Sequence, residues 1–208
     1  MTVIHHITHI TNLSKIIREN GLWCENERAR HGLDVINIAY TQLKSRRSRT
    51  NVPICAQGVL ADYVPFYFCN RSPMLYAIHQ GNIDGYSDGQ TPIIYLTSSV
   101  EVIGVTQCKW CFTDGHAVEA ITRFYDKVEE LNTTIDWDVI RDWRWNNHDD
   151  PDRKRRKQAE FLVHHFVPWK CIQSIDVRNP DVAKQVRVIL QELNTQVQIR
   201  VQPKWYYD

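Results

Sequence analysis

Short segments rich in β-branched and aromatic residues recur along the whole sequence, and longer helix-like segments separate them. Runs of such residues are typical of β-strands. The strand-like segments are residues 3–10, 63–69, 93–97, 110–113, 159–163, 172–177 and 197–201. So many scattered strands require a sheet with helices packed against it. No internal repeat or linker divides the 208 residues, so the sequence predicts a single α+β domain over residues 1–208.

Helix signals lie between the predicted strands. Thr11 or Asn12 is placed to cap a first helix, and Gly21 is placed to end it in the left-handed conformation. Ser72 caps another predicted helix, and Pro65 in the aromatic strand before it indicates an edge strand or a bulge. The predicted helices are residues 12–20, 73–79, 117–125 and 180–194.

The charge is nearly balanced, with 25 Lys and Arg against 24 Asp and Glu. This balance excludes a global attraction to nucleic acid or membranes, so any contact with a polyanion has to come from local clustering. The longest weakly charged stretch, residues 54–69, contains Asp62, Pro and Gly and is too short for a membrane-spanning helix. No basic segment followed by an apolar one begins the sequence, so we predict a cytoplasmic protein without a membrane span.

The cysteines and histidines do not predict a metal site. Cys108 and Cys111 have the spacing of half a zinc site, but the remaining cysteines supply no second pair, so reduced thiols are expected. On a strand, His5 and His9 lie on the face opposite His6. Neither face then offers the three protein ligands that a catalytic zinc usually takes. We therefore predict no metal.

His6 and Thr8 lie two residues apart in the first predicted strand. Their side chains point to the same face, where they can present a ring nitrogen and a hydroxyl to one ligand. The alternative is a histidine at the edge of the core that is hydrogen-bonded to a backbone carbonyl.

Glu160 is the only charged residue in the apolar segment 159–163. A buried carboxylate is costly without a partner, so this position indicates either an ion pair with a neighbouring arginine or a catalytic role. The basic run 153–157 precedes it, and Trp143 and Trp145 lie close by in the sequence. Aromatic rings beside cations suit stacking and phosphate contact in single-stranded nucleic acid, so residues 153–157 are expected to supply most of the local positive charge to it. A basic run is also typical of a solvated surface.

Four sets of motifs resemble one family. They are His6-Ile7-Thr8 with Asn12-Leu13 and Gly21-Leu22, residues 62–68 with Arg71 to Ile78, Thr113 to Ala117, and Gln158 to Val163. In these motifs the chain resembles the DarT family of DNA ADP-ribosyltransferase toxins, over residues 3 to about 178. It is more similar to the thymidine-modifying branch than to the guanosine-modifying one.

The resemblance implies an ADP-ribosyltransferase-like split mixed β-sheet with flanking helices, which holds NAD in a bent conformation over a central cleft. Glu160 would be catalytic together with an arginine. Arg46, Arg47 and Arg49 compete for this role, with Arg46 our first choice and Arg47 our second. Within the cofactor site, His6 would hold the ribose on the adenosine side. The residues expected to bind NAD are His6, Ile7, Thr8, Lys15, Trp23 and Tyr67.

The resemblance also implies a DNA-binding surface made of the helix at 74–79 and the segment before Glu160. Met74 or Ile78 would contact the thymine methyl group and His79 its oxygens, although the same residues also fit a core helix. The residues expected to bind DNA are Met74, Leu75, Tyr76, Ala77, Ile78, His79, Trp145, Asn146, Asn147, His148 and Lys154.

The implied chemistry agrees with these residue types. Breaking the bond between nicotinamide and ribose develops positive charge on the ribose, which a carboxylate such as Glu160 stabilises. The thymine ring nitrogen must lose its proton, and a guanidinium that stays charged stabilises the resulting anion. Base pairing hides this nitrogen, so single-stranded DNA is the expected substrate. The resemblance also implies a cognate antitoxin that removes the ADP-ribose.

Two other functions stay open from the residues alone. One is a non-catalytic module that binds single-stranded nucleic acid, in which Glu160 is only a salt-bridge partner. The other is an ADP-ribosyltransferase that acts on guanosine, RNA or protein. Neutralising Glu160 discriminates the first from an enzyme, because a binding module tolerates that change.

Overall fold

The computed structural model describes residues 1–208, with ten strands and nine α-helices. The strands are β1 (Val3–His9), β2 (Gly21–Trp23), β3 (Tyr63–Tyr67), β4 (Ile93–Ser99), β5 (Trp110–Thr113), β6 (Phe124–Tyr125), β7 (Glu160–His164), β8 (Phe166–Pro168), β9 (Ser174–Val177) and β10 (Gln198–Val201). The helices are α1 (Leu13–Arg18), α2 (Glu25–Arg30), α3 (Thr41–Arg47), α4 (Pro73–His79), α5 (Val100–Gly104), α6 (Leu131–Thr134), α7 (Trp137–Arg141), α8 (Arg153–Lys157) and α9 (Pro180–Glu192).

Eight strands form one mixed sheet in the order β10-β9-β4-β1-β3-β7-β5-β6. Its neighbouring strands are antiparallel, except that β9 and β10 are parallel. The strands β2 and β8 form a separate two-stranded sheet. The predicted α+β class is confirmed, and the segment predicted to complete the sheet is its edge strand β10.

The sheet is split between its two central strands. β1 pairs with β4 along its whole length but meets β3 only at His5 and Tyr67. β3 in turn pairs with β7 throughout. Strands that stay hydrogen-bonded lie about 4.8 Å apart and leave no space between them. The divergence of β1 from β3 therefore opens a cleft in the middle of the sheet, which is the predicted split.

Pro65 lies beside this cleft. On one side Pro65 pairs with Leu162 of β7. On the other side its carbonyl oxygen accepts a 2.8 Å hydrogen bond from His6 Nδ1 across the split. Proline has no N–H to donate to a strand neighbour. It is tolerated within β3, an interior strand of the sheet, because β1 has already diverged there. The predicted edge position is thus wrong for the sheet as a whole.

The helices α4 and α9 begin as the sequence predicts. Ser72 Oγ accepts a hydrogen bond from Leu75 N at the start of α4, and Asn179 Oδ1 caps α9 in the same way. The apolar stripe of α9 packs into the main core through Val182, Ala183, Val186 and Leu190. None of the helices combines the length and the apolar character that crossing a membrane requires.

The helix predicted over residues 117–125 is wrong. This segment forms turns followed by β6. The N–H of Ala117 donates to Glu160 Oε1, and Thr122 Oγ1 donates to the carbonyl of His116. These tertiary and side-chain bonds replace the backbone ladder that a helix would need.

The predicted ends of α1 are also wrong. Asn12 precedes α1 but makes no capping bond with its side chain. At the other end the left-handed residue is Asn20, with a φ of 56°, and Gly21 starts β2 instead. A Cβ at Gly21 would lie 2.2 Å from the carbonyl oxygen of Val167. Glycine is therefore needed there for close approach to β8 and not as a helix terminator.

Candidate active site

The split of the sheet contains a partly enclosed cavity, which we call the inner cavity. The segment 33–39 covers part of it, and α3 closes another side. The structure brings together all six residues predicted to bind the cofactor. The lining of the inner cavity includes these six and two arginines: His6, Ile7, Thr8, Lys15, Trp23, Tyr67, Arg28 and Arg47.

A more open cleft adjoins it, which we call the outer cleft. Leu43, Tyr67 and Met74 line both spaces, so the two meet at these side chains. Two binding spaces that share a wall suit a transfer between two substrates. The outer cleft is also lined by Arg46, Tyr76, Ala77, His116, Trp145, Lys154 and Arg155, among others.

Glu160 is the first residue of β7 and pairs with Tyr67 of β3, which lines both spaces, although Glu160 itself lines neither of them. Its side chain is 1% exposed. Oε1 accepts a 3.0 Å hydrogen bond from Ala117 N, and Oε2 accepts a 2.7 Å bond from Arg47 Nη1. The carboxylate is thus ion-paired and fixed in orientation, and it keeps lone pairs free for a ligand.

Of the two candidate arginines, Arg47 reaches Glu160 and Arg46 does not. Arg46 is half exposed, and its Nη2 donates to the carbonyl of Val118 and lies 3.4 Å from Glu119 Oε1. Arg47 is 11% exposed, and its Nη2 is buried without a hydrogen-bond partner. An unpaired buried donor is costly, so Arg47 is placed to donate to a ligand. The geometry favours Arg47, which was our second choice.

His6 faces the inner cavity as a neutral ring. Burial lowers its pKa to about 4. Its Nδ1 lies 2.8 Å from the carbonyl oxygen of Pro65, which can only accept a hydrogen bond. Nδ1 therefore carries the proton, and Nε2 is an acceptor. The carbonyl bond expected of a core histidine is present, and it leaves the second nitrogen available to a ligand.

We expect the substitution His6→Asn to weaken the pH dependence of stability. The pKa of His6 is lower in the folded protein than the 6.5 of an ordinary histidine. Its contribution is therefore complete above about pH 6.5 and is lost as the pH falls towards about 4. Asparagine can still donate to Pro65. Urea denaturation between about pH 4.5 and 6 should show a slope of unfolding free energy reduced by up to about 1.4 kcal/mol per pH unit.

The control for this measurement is the same substitution at His148, which is fully exposed. We expect His148→Asn to leave the slope unchanged. A slope that is also unchanged in His6→Asn would show that His6 does not titrate differently in the folded and unfolded states.

Two cations and one indole also line the inner cavity. Lys15 Nζ donates to the carbonyl of Asp34. The guanidinium of Arg28 has no ion-pair partner, and burial lowers its pKa. Trp23 Nε1 is buried without a hydrogen-bond partner. These donors suit a ligand that carries several anionic oxygens. The sequence did not single out Arg28, because one arginine in a polar helix has no distinguishing pattern.

Asn12 holds the segment 33–39 over the inner cavity. Its Nδ2 donates to Thr8 Oγ1 at 3.1 Å and to the carbonyl of Ile36 at 3.0 Å, and its Oδ1 accepts from Ile36 N at 2.8 Å. These bonds explain why its amide does not cap α1. A sequence pattern cannot reveal them, because an asparagine before a helix also fits a cap.

His116 lines the outer cleft and was not among the predicted site residues. Burial lowers its pKa; Arg47 and Arg46 act in the same direction, whereas Glu160 opposes them. A neutral imidazole in a binding cleft can accept a proton. The only sequence signal for it was its place in the motif Thr113 to Ala117.

The basic run 153–157 forms α8, and four of its five side chains are engaged within the protein. The expectation that the whole run supplies charge to DNA is therefore wrong. Lys154 is the exception in this run, because it is exposed and has no ion pair. Acidic residues of the preceding segment neutralise most of the run. The pairs are Arg153 with Asp142, Arg155 with Asp114 and Asp152, and Arg156 with Asp136, Asp150 and Asp152, whereas Lys157 is buried against the carbonyls of Val139, Ile140 and Asp142.

Only one face of α4 borders the outer cleft, through Pro73, Met74, Tyr76 and Ala77. Leu75 and Ile78 are 0% exposed and lie in the core. The prediction that these two bind DNA is therefore wrong, and the core alternative holds for that face. His79 lies outside the lining of the cleft, hydrogen-bonded to Gln90 and stacked on Tyr207.

Trp145 and Lys154 form the polar and aromatic rim of the outer cleft. The Trp145 ring lies 5.2 Å from the Tyr76 ring, and Lys154 Nζ lies 5.5 Å from the centre of Trp145. Trp143 is 61% exposed nearby. The predicted DNA residues 146–148 are exposed but do not line the cleft. A cation beside an aromatic ring is the arrangement that binds single-stranded nucleic acid.

The structure places no group of three or more His, Cys, Asp or Glu side chains where they could hold a metal ion. All six cysteines are unpaired. Cys111 is buried in β5 and Cys108 is half-buried just before it.

A family model described as "ssDNA thymidine ADP-ribosyltransferase, DarT" matches residues 5–207. A "DNA ADP-ribosyl transferase" of Thermus sp. (strain 2.9) is 41% identical over 208 residues, which cover 99% of this chain and 96% of the relative. A "DNA ADP-ribosyl transferase-DNA ADP-ribosyl glycohydrolase fusion protein" of Thermosipho africanus is 24% identical over 197 residues, which cover 93% of this chain and 47% of the fusion protein.

Two solved structures from Thermus sp. 2.9 share this fold. "DarT in complex with ADP-ribosylated ssDNA" has a TM-score of 0.91 and 39% identity, and the match covers 99% of this chain and 96% of that one. "DarT in complex with NAD+" has a TM-score of 0.86 and 38% identity, covering 99% and 98%. The similarity extends over both the inner cavity and the outer cleft.

Proposed function

The chain belongs to the DarT family, and we propose that it transfers ADP-ribose from NAD to a thymidine base in single-stranded DNA and releases nicotinamide. The observation that carries this proposal is the buried carboxylate of Glu160, which is ion-paired with Arg47 of the inner cavity and hydrogen-bonded to Ala117, the neighbour of His116 in the outer cleft. The inner cavity would take NAD, and the outer cleft would take the base. The complexes of the Thermus relative with NAD+ and with ADP-ribosylated DNA support this division.

The inner cavity fits NAD as the co-substrate. Lys15 and Arg28 supply two positive charges for its pyrophosphate. Nε2 of the neutral His6 is an acceptor for a ribose hydroxyl. The unpaired donors Trp23 Nε1 and Arg47 Nη2 are suited to oxygens of the same molecule, since binding would then satisfy buried groups that have no partner in the protein.

Cleavage of the bond between nicotinamide and ribose develops positive charge on the ribose. Glu160 would stabilise this charge and accept a hydrogen bond from a ribose hydroxyl. Arg47 and Ala117 hold both of its oxygens in place, so the carboxylate needs little reorganisation during the reaction. Nicotinamide leaves, and the ribose carbon forms its new bond to the thymine nitrogen.

The outer cleft fits thymine as the acceptor. Met74 provides apolar surface for the methyl group. The acceptor nitrogen must lose its proton, and the neutral His116 is a base that lines the cleft. Arg47 and, at the rim, Arg46 would stabilise the negative charge on the base. An arginine stays protonated at ordinary pH, so this role is electrostatic.

Oligonucleotides that differ in one base test the acceptor. We expect single-stranded DNA that contains thymidine to gain one ADP-ribose by mass and to release nicotinamide. Methylation of N3 of that thymidine should abolish the reaction, because it blocks the attacking nitrogen. Duplex DNA should react far more slowly, because freeing a base costs a few kcal/mol.

Matched oligonucleotides without thymidine, the same sequence in RNA, and unrelated protein serve as controls. Equal labelling of a thymidine-free oligonucleotide would contradict the thymidine assignment and favour guanosine. Labelling of RNA or protein at the rate of DNA would contradict the substrate class.

Lys154 is expected to contribute one phosphate contact. The substitution Lys154→Ala should reduce the slope of log affinity against log salt for single-stranded DNA by about 0.7. Arg156→Ala removes the same charge from a side chain that is already ion-paired, so it should leave this slope unchanged. Fluorescence anisotropy over a salt series measures both, and equal slopes for all three proteins would place the DNA on another surface.

We also propose a partner and a location. The fused glycohydrolase of the Thermosipho relative supports a cognate antitoxin that removes the ADP-ribose from DNA. This chain spans about half of that fusion protein, so the antitoxin would be a separate chain or domain. The unpaired cysteines agree with a reducing compartment, and the cytoplasm remains our prediction.

A further inference from the structure

Arg155 is the most fully bonded side chain of the basic run. Its Nε and Nη2 donate to the two carboxylate oxygens of Asp152 at 2.7 and 2.8 Å. Its Nη1 donates to Asp114 Oδ1 at 2.9 Å and lies 3.4 Å from Thr122 Oγ1. The side chain is 15% exposed. A guanidinium whose donors are used in this way has little left to offer a phosphate.

These bonds hold a turn whose last residue, Ala117, contacts the carboxylate of Glu160. The turn comprises residues 113–117 and follows β5. His116 N donates to the carbonyl of Arg155 at 2.9 Å, and the next N–H, that of Ala117, donates to Glu160 Oε1 at 3.0 Å. Thr122 Oγ1, which Arg155 also contacts, donates to the carbonyl of His116 at 2.8 Å. The Arg155 side chain therefore holds the chain on both sides of His116, through Asp114 before it and Thr122 after it.

Glycine at position 115 lets the guanidinium lie directly over this turn. A Cβ there would stand 2.3 Å from Arg155 Nη1 and 2.9 Å from its Cγ. The other end of the turn is held independently of Arg155. Thr113 Oγ1 donates to the carbonyl of Gly115 at 2.7 Å and accepts a 3.1 Å bond from Glu160 N.

We propose that Arg155 is a positioning residue for the transfer reaction, which fixes the 113–117 turn so that Ala117 N–H holds Glu160 and His116 faces the outer cleft. The inference rests on the proposed function, because it assigns Arg155 a role in the step that Glu160 performs. Arg155 does not itself touch the reacting atoms. It differs from Lys154, its neighbour in α8, which is free to contact DNA.

Arg155→Ala tests the proposal through kcat and KM. We expect kcat to fall about 10- to 30-fold, less than for direct loss of a charge-stabilising group, with the KM values for NAD and for DNA changed by less than about threefold. The salt slope of DNA binding should stay at the wild-type value. Arg155→Lys retains one ion pair and should recover part of kcat.

Gly115→Ala supplies a second variant that does not remove any charge. Its Cβ should push the guanidinium away from Asp114, so kcat should fall as it does in Arg155→Ala. The control is Arg153→Ala, which breaks a comparable ion pair with Asp142 at a distance from the turn. It should lower thermal stability to a similar extent but change kcat by less than about twofold.

Three results would overturn the proposal. An unchanged kcat in folded Arg155→Ala or Gly115→Ala excludes a positioning role. A salt slope reduced by about 0.7 with kcat unchanged identifies Arg155 as a DNA contact instead. Equal losses of kcat in Arg155→Ala and Arg153→Ala would show that both residues contribute only to the general stability of the fold. If the wild-type protein labels no thymidine, the proposed function fails, and release of nicotinamide from NAD then serves as the rate for the same comparison.

Discussion

Glu160→Gln is expected to lower the rate of ADP-ribose transfer by about 100-fold or more, as is Glu160→Ala, while the protein still folds and binds NAD. Glutamine keeps the volume of the side chain and can still accept from Ala117 N, but it has no negative charge to stabilise the ribose. Single-turnover labelling of an oligonucleotide measures the rate. Calorimetric titration with NAD shows that the binding site persists.

A second buried carboxylate provides the control. Asp176 is 0% exposed and is held by Thr97, Ser174 and Arg200, none of which lines the inner cavity or the outer cleft. Asp176→Asn should cost stability without lowering the transfer rate. If Glu160→Gln labels DNA at the wild-type rate, Glu160 is only a salt-bridge partner and the chain is better described as a module that binds nucleic acid.

Glu160 could be found from the sequence because its signal is local. A strand segment of apolar residues makes one carboxylate conspicuous, and the cost of burying it demands a partner. The same holds for Ser72, where a capping residue followed by proline marks the start of a helix. Such local patterns predicted seven of the ten strands but only three of the nine α-helices, α1, α4 and α9.

The choice between Arg47 and Arg46 is not local. Adjacent helical residues point about 100° apart, and only the docking of α3 against the cleft decides which of them meets Glu160. His116 and Ala117 depend in the same way on a turn held by distant side chains. Their segment has a composition that also suits a helix, so tertiary bonds overrode its propensity.

Two errors in the DNA surface have different physical causes. The first assigned six consecutive residues of α4, Met74 to His79, to DNA, although a helix presents only part of its circumference to one side, and Leu75 and Ile78 lie on the face that packs into the core. The second treated α8 as a free basic patch. Net charge along the sequence does not reveal that acidic residues up to 41 positions away pair with it.

Arg47 is expected to contribute far more to the reaction than Arg46. Arg47→Ala should lower transfer by at least about 100-fold and Arg47→Lys by about 10- to 100-fold, whereas Arg46→Ala should cost less than about fivefold. Lysine can still pair with Glu160 but has no second planar N–H in the position of Nη2, which is the unpaired donor in the inner cavity. The measurement is the single-turnover rate at saturating NAD and DNA.

Loss of rate in Arg47→Ala has two possible sources, and Arg47→Lys separates them. Removing one partner of a buried ion pair leaves an uncompensated charge and typically costs about 3–5 kcal/mol, so Arg47→Ala could lose activity because Glu160 moves or the protein unfolds. Lysine restores the charge beside Glu160, so unfolding in urea should return close to wild type. A rate that stays low at restored stability assigns the loss to the missing guanidinium donor. Recovery of the wild-type rate would leave Arg47 as a counter-ion only, and a larger loss in Arg46→Ala than in Arg47→Ala would restore the first choice from the sequence.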